Sequence, residues 1–241
     1  MCLTLLLNRP AIHYDLPPFT FLALWLAGLG FFVLLFWATS RQRRQRTQAM
    51  QQLALEIGCA FTEKPDSALA TQVAGIQTST DGLSPARRFS NILQGSYHGG
   101  DFVIADCTTG GGKNSVTFTL VAYQFKDPLP HFTICPEHKL LQFLEKLGLS
   151  EIDIPEAPEF SRRYFLRAAD ESAIRQLFTA PITSAFEMCT DKSMYVTSSG
   201  NWLTFYYPRG IIEAGKLRDF RQQVEPIAEA FFRSSQRAAS L

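Results

Sequence analysis

The sequence contains no CxxC pair, no GxSxG, no HExxH and no glycine fingerprint of a dinucleotide-binding fold. The chemistries that depend on those spacings therefore have no foothold in it. Its five cysteines, Cys2, Cys59, Cys107, Cys135 and Cys189, are odd in number and scattered. That argues against a disulfide framework and fits a reducing compartment, where cysteine serves as a small apolar residue. Excess charge is also missing. The formal net charge is +1, and from Cys59 to Leu241 there are 18 Lys and Arg against 20 Asp and Glu, a balance of −2. A near-neutral body lacks the basic surface that nucleic acid binding requires, so no nucleic acid partner is expected.

One stretch lacks charge entirely. Phe19 to Ala38, FTFLALWLAGLGFFVLLFWA, has 20 residues with no charged residue, amide or proline. As a helix it would extend about 30 Å, the thickness of a bilayer's hydrocarbon core. Arg41, Arg43, Arg44 and Arg46 follow at once, and Trp37 sits at the same end, where an interfacial indole belongs. The run is longer than the apolar region of a cleaved signal peptide, and its arginines lie on the wrong side for one. The positive-inside rule predicts a single span over 19–38, with residues 1–18 as a short external segment and the remainder in the cytoplasm. The lipid bilayer is thus the first expected partner. No Gly or Pro falls between Phe31 and Ile57, and Met50, Leu53 and Ile57 recur at helical spacing. This predicts a juxtamembrane helical stalk over 39–58, stopped by Gly58.

The rest reads as α+β, with antiparallel hairpins and a meander packed against helices, in a first half over 59–148 and a second over 149–241. Cys59 to Lys64 suits a short strand, and Asp66 suits the cap of a short helix. FSNILQGSY and DFVIADCT, joined at Gly99-Gly100, read as a hairpin. SVTFTLVAYQF alternates with Val116, Phe118, Leu120 and Ala122 on one face and Thr117, Thr119, Val121 and Tyr123 on the other. HFTIC would complete a four-stranded meander, and PEHKLLQFLEKLG reads as a helix from Pro136. In the second half SRRYFLRA suits a strand. Asp170 and Pro181 each open a short helix, and SMYVTS pairs with WLTFYY. Leu217, Phe220, Val224, Ile227 and Phe231 step by three and four straight through Pro226, predicting one long, kinked helix. Both halves run strands, hairpin, helix, and a remote duplication is one reading of that order.

TGGGKN, from Thr109, invites comparison with a phosphate-binding loop. However, Cys107 replaces the first glycine of that pattern, Asn114 replaces Ser or Thr, and a strand follows where a helix is needed. The bland reading is a hairpin loop. The functional one is a ligand or anion site made by Lys113, Asn114 and Asp106, the carboxylate set among FVIADC. His131, Cys135 and His138 lie within eight residues but match no standard zinc spacing, so no metal and no cofactor is expected.

Three segments together resemble a family of bacterial membrane-anchored proteins of uncharacterised activity. The family pattern runs YTxGxGKNxxT, then LPxFxLxPE, then PEFSxxYxLRxxDExxVRxLF. This chain has CTTGGGKNSVT from Cys107, LPHFTICPE from Leu129 and PEFSRRYFLRAADESAIRQLF from Pro158. The likeness covers roughly Phe102 to Phe178. Cys107 departs from it, standing where the pattern has an aromatic residue, and Cys135 adjoins a position that is often basic. The resemblance implies attachment to the bacterial inner membrane and carries over no catalytic residue.

The expectation is a membrane-anchored cytoplasmic module that binds a protein or the membrane surface without catalysis. Two alternatives stay open. One is an enzyme using Asp106, Lys113 and His98 or His131 around the first hairpin, which requires those groups to converge in a pocket. The other is an accessory subunit of an envelope or transport complex, which requires a membrane-protein partner, since one span makes no channel.

Overall fold

The computed structural model describes residues 18–78, 87–112, 115–136, 152–208 and 210–238. The chain falls into two compact units, Met1–Arg46 and Thr47–Leu241. Helix α1 (Pro18–Ile57) begins in the first and ends in the second. In the first unit the large apolar side chains from Leu22 to Trp37 are exposed all round, Trp25 at 79% and Phe36 at 68%. A helix apolar on every side and covered on none satisfies its backbone internally and leaves its side chains for an apolar solvent. It is long and apolar enough to cross a membrane.

The second unit begins at Thr47, so the last turns of the expected stalk belong to the body. Met50, Leu53 and Ala54 are buried in its main core. The helical spacing of these residues marks a core face. Gly58, at φ 70°, ends the helix, and the Cys59 amide donates to the Ala54 carbonyl at 2.8 Å.

Eight strands form one antiparallel sheet: β1 (Ala60–Thr62), β2 (Arg87–Tyr97), β3 (Gly100–Thr109), β4 (Val116–Gln124), β5 (Phe132–Pro136), β6 (Tyr164–Ala168), β7 (Tyr195–Ser199) and β8 (Trp202–Tyr206). Their order is β1-β2-β3-β4-β8-β7-β5-β6. The α+β class is as expected, but the meander is composed differently. Its fourth member is β1, pairing Phe61 with Leu93, whereas β5 crosses to the far half and pairs with β6 and β7. The halves join where β4 meets β8, Leu120 opposite Tyr206 and Gln124 opposite Trp202.

Five further helices are described: α2 (Ser67–Val73), α3 (Pro158–Arg163), α4 (Glu171–Leu177), α5 (Ala180–Met188) and α6 (Ala214–Ala238). Asp66 and Asp170 cap α2 and α4, their carboxylates accepting from the amides of Leu69 at 2.8 Å and Ala173 at 3.0 Å. Ser161, Arg162 and Arg163, expected in a strand, close α3 instead. Pro158 stands at its first turn, and the strand starts at Tyr164. The helix expected from Pro136 to Gly148 lies outside the described residues beyond Pro136.

The alternation read in β4 divides the core. Phe118, Leu120 and Ala122 face one cluster with Cys107, Trp202 and α2's Leu69 and Val73. Val121 and Tyr123 face the larger cluster with Phe205, Phe132 and helices α3 to α6. The predicted stripe of α6 is buried there. Leu217, Val224, Ile227 and Phe231 are each fully inaccessible, and the helix continues through Pro226. Phe231 stacks on Phe132 at 5.7 Å between ring centroids and meets Phe178 edge-on at the same distance.

Candidate functional site

Asp106 occupies the larger-cluster face of β3 and is 3% exposed. Its environment starts with a bulge. Ser90 pairs with Asp106 and Leu93 with Ile104, so Asn91 and Ile92 together oppose one residue, and Asn91 takes φ 51°. Asparagine tolerates that left-handed geometry better than most side chains. Asn91 Nδ2 donates to Asp106 Oδ2 at 2.9 Å, and Thr119 Oγ1 donates to Asp106 Oδ1 at 2.8 Å. Thr47 Oγ1 donates to Asn91 Oδ1 at 2.9 Å, and the Ile212 amide donates to Thr119 Oγ1 at 3.1 Å. A buried carboxylate survives in such a place only when hydrogen bonds replace its water. Asp106 is therefore the hub that ties α1, β2, β3, β4 and the segment before α6 together.

Of the other sequence candidates among the described residues, His98 and His131 do not join it. Lys113 and Asn114 lie outside the described residues. The loop before them has Gly110 at φ 82° and Gly112 at φ 58°, and strand β4 follows. His98 sits in the β2–β3 turn, separated from Asp106 by a run of strand of about 20 Å. His131 lies at the start of β5, four strands from β3 in the sheet, where Nδ1 meets the Ser198 carbonyl. Among the described residues Asp106, His98 and His131 thus lie apart from one another in the fold. Among the described residues no three His, Cys, Asp or Glu side chains cluster as metal ligands. The four arginines all lie on α1. Arg41, Arg43 and Arg44 are exposed, Arg46 is partly buried, and the Arg41 guanidinium lies 5.3 Å from the Trp37 ring one turn back.

The most structured polar surface is one that the sequence reading passed over. Beside its apolar stripe α6 presents Arg218, Arg221, Glu225, Glu229 and Arg233, spaced by three and then by four. Arg218 pairs with Glu56 at 3.2 Å. Arg221 lies 4.2 Å over the Phe102 ring. Glu229 accepts from Tyr97 Oη at 3.2 Å and Arg233 Nε at 2.8 Å and pairs with His98. Burial pushes the Glu229 carboxyl up, but the Arg233 hydrogen bond, the charge of His98 and the Tyr97 hydroxyl outweigh it and hold the group below its ordinary value.

Two clefts flank this row. One, of about 620 Å³, opens at the hairpin tip between His98, Gln124, Lys126, Asn201, Phe232 and Gln236. The other, of about 210 Å³, has apolar walls from Leu53, Ile57, Ile104 and Leu217 and a polar edge that includes Arg221 and Glu225. Charges flanking an apolar helical stripe are ordinary, so spacing alone could not single out this row.

No protein-family model matches the chain, and no curated protein matches it in sequence. In fold it is similar to a solved structure, the mycobacterial trehalose monomycolate transport factor A, TtfA. The TM-score is 0.55 at 10% identity, over 78% of this chain and 94% of that one. At that identity the likeness is one of fold.

Proposed function

We propose that the chain is a single-pass protein of the bacterial inner membrane whose cytoplasmic body binds a membrane-protein partner as a non-enzymatic accessory subunit of an envelope transport complex. The observation that carries this reading is the uncovered apolar helix with its one-sided basic end. Phe19 to Ala38 supplies a span, and Arg41, Arg43, Arg44 and Arg46 give it an orientation. The Trp37–Arg41 contact suits the level of the lipid headgroups. A fold shared with a transport factor supports the accessory role over a catalytic one. One span cannot itself conduct a substrate, so the role needs a partner with a path of its own.

Affinity capture of the full chain from detergent-solubilised membranes, after crosslinking in cells, tests the proposal. The expected result is repeated recovery of one integral membrane partner in near-equal amount. Recovery of nothing beyond what an unrelated single-span protein retains overturns it.

A further inference from the structure

The charges that follow the apolar run of α1 are divided between two faces. At about 100° per residue, Trp37, Arg41 and Arg44 fall within about 60° of arc on one face of the helix. Arg43 and Arg46 stand about 100° or more away from that arc. Trp37, Arg41 and Arg44 are all exposed. The Arg41 guanidinium leans back one turn to lie 5.3 Å from the Trp37 ring. Its donors are thereby held at the end of the apolar run, beside the indole that belongs at a bilayer interface. Arg44 follows about 4.5 Å further along the axis, its Cβ about 5–6 Å from that of Arg41. Two guanidiniums so spaced can close on one phosphate.

The helix supplies no carboxylate to neutralise them. From Leu16 to Leu55 the sequence has no Asp or Glu, and Glu56, the next acid, pairs with Arg218. A guanidinium presents its donors in a planar fork that meets phosphate oxygens two at a time. A pair of cations also discriminates between headgroups. A phosphate diester of choline or ethanolamine brings its own cation to the site and is neutral as a whole. A diester of glycerol keeps its negative charge. The group that matches both the donors and the charge is an anionic headgroup.

We propose that Trp37, Arg41 and Arg44 form a site for one anionic phospholipid. Its phosphate lies between the two guanidiniums and its acyl chains run along Val33 and Leu34, exposed residues one turn before Trp37 on the same face. The inference rests on the reading that α1 spans the membrane, and it adds a lipid class and a binding face to that reading.

Trp37 is itself the reporter. The full chain carrying Trp25→Phe is placed in phosphatidylcholine nanodiscs doped with either phosphatidylglycerol or phosphatidylcholine brominated near the carbonyl end of its chains, and quenching of indole emission is measured. Trp202 is buried in the body and gives a constant background. At equal mole fraction, brominated phosphatidylglycerol should occupy the site at least about fivefold more than brominated phosphatidylcholine. Arg41→Gln and Arg44→Gln should each bring that ratio below about twofold, whereas Arg43→Gln, which removes the same charge from the other face, should leave it above about threefold. Excess soluble glycerol phosphate should not relieve the quenching. Equal quenching by the two lipids overturns the proposal and leaves the span standing. So does an Arg43→Gln protein that loses as much preference as Arg44→Gln, since diffuse attraction depends on charge and not on face, or relief by glycerol phosphate. No quenching by either lipid overturns the span together with the site.

Discussion

Asn91 Nδ2 donates to Asp106 Oδ2 at 2.9 Å, across a bulge that puts Asn91 at φ 51°. The same amide group accepts from Thr47, so one side chain couples the end of α1 to the centre of the sheet. Asn91→Ala removes both bonds, leaves a buried carboxylate short of a donor and places alanine where asparagine is tolerated. A loss of about 2–4 kcal/mol in unfolding free energy is expected, read from denaturant midpoints at unchanged slope. Asn91→Gly keeps the backbone comfortable and separates the bond's share from the strain.

Phe231 should be among the most sensitive positions of the body. Its ring is fully buried and touches the rings of Phe132, Phe178 and Phe186. Phe231→Ala leaves a cavity at the meeting of α4, α5, α6 and β5, at a cost of about 3–5 kcal/mol. Thermal unfolding should show it plainly, while Arg218→Ala, an exposed half of a surface pair, should move Tm little.

Gly95 faces the Phe102 ring so closely that an added Cβ would lie 2.3 Å from ring atom Cε1. Gly95→Ala must displace the ring on which Arg221 rests. Overpacking of this kind costs about 1–3 kcal/mol, and Gly95→Ala is expected to fall in that range by chemical denaturation.

Acid should weaken the link between the hairpin tip and α6. Glu229 titrates below its ordinary value of 4.5 when folded, so its contribution is present above that pH and is lost as pH falls through the lower folded value. Glu229→Gln should therefore reduce stability at neutral pH and flatten the decline below about pH 4.5. Stability curves of the two proteins from pH 3 to 7 check this, and they should converge at the acid end.

Local chemistry was legible where one residue decides the outcome. Asp66 and Asp170 cap because a carboxylate satisfies free helix-end amides wherever it stands. The α6 stripe was readable through Pro226 because five buried side chains, more than one lost hydrogen bond, decide whether the helix continues. Strand order was not legible. β4 pairs with β8, more than 70 residues away, and no local pattern specifies a distant neighbour. Likewise Met50 and Leu53 carried a helical period that could not say what they pack against, and the body absorbed the end of the stalk. Asp106 stood out as the odd carboxylate in an apolar strand, but its partners Asn91 and Thr119 come from two other strands, and Thr47, which holds Asn91, comes from α1.

The central claim is that α1 crosses the inner membrane with the body on the cytoplasmic side. Green fluorescent protein and alkaline phosphatase, each fused after Leu241, report on opposite sides of that membrane. The account predicts a fluorescent fusion and an inactive phosphatase, both in the carbonate-resistant membrane fraction, with orientation becoming mixed when Arg41, Arg43, Arg44 and Arg46 are all changed to glutamine. An active phosphatase on the unmodified chain, or release of the protein by carbonate, would contradict it.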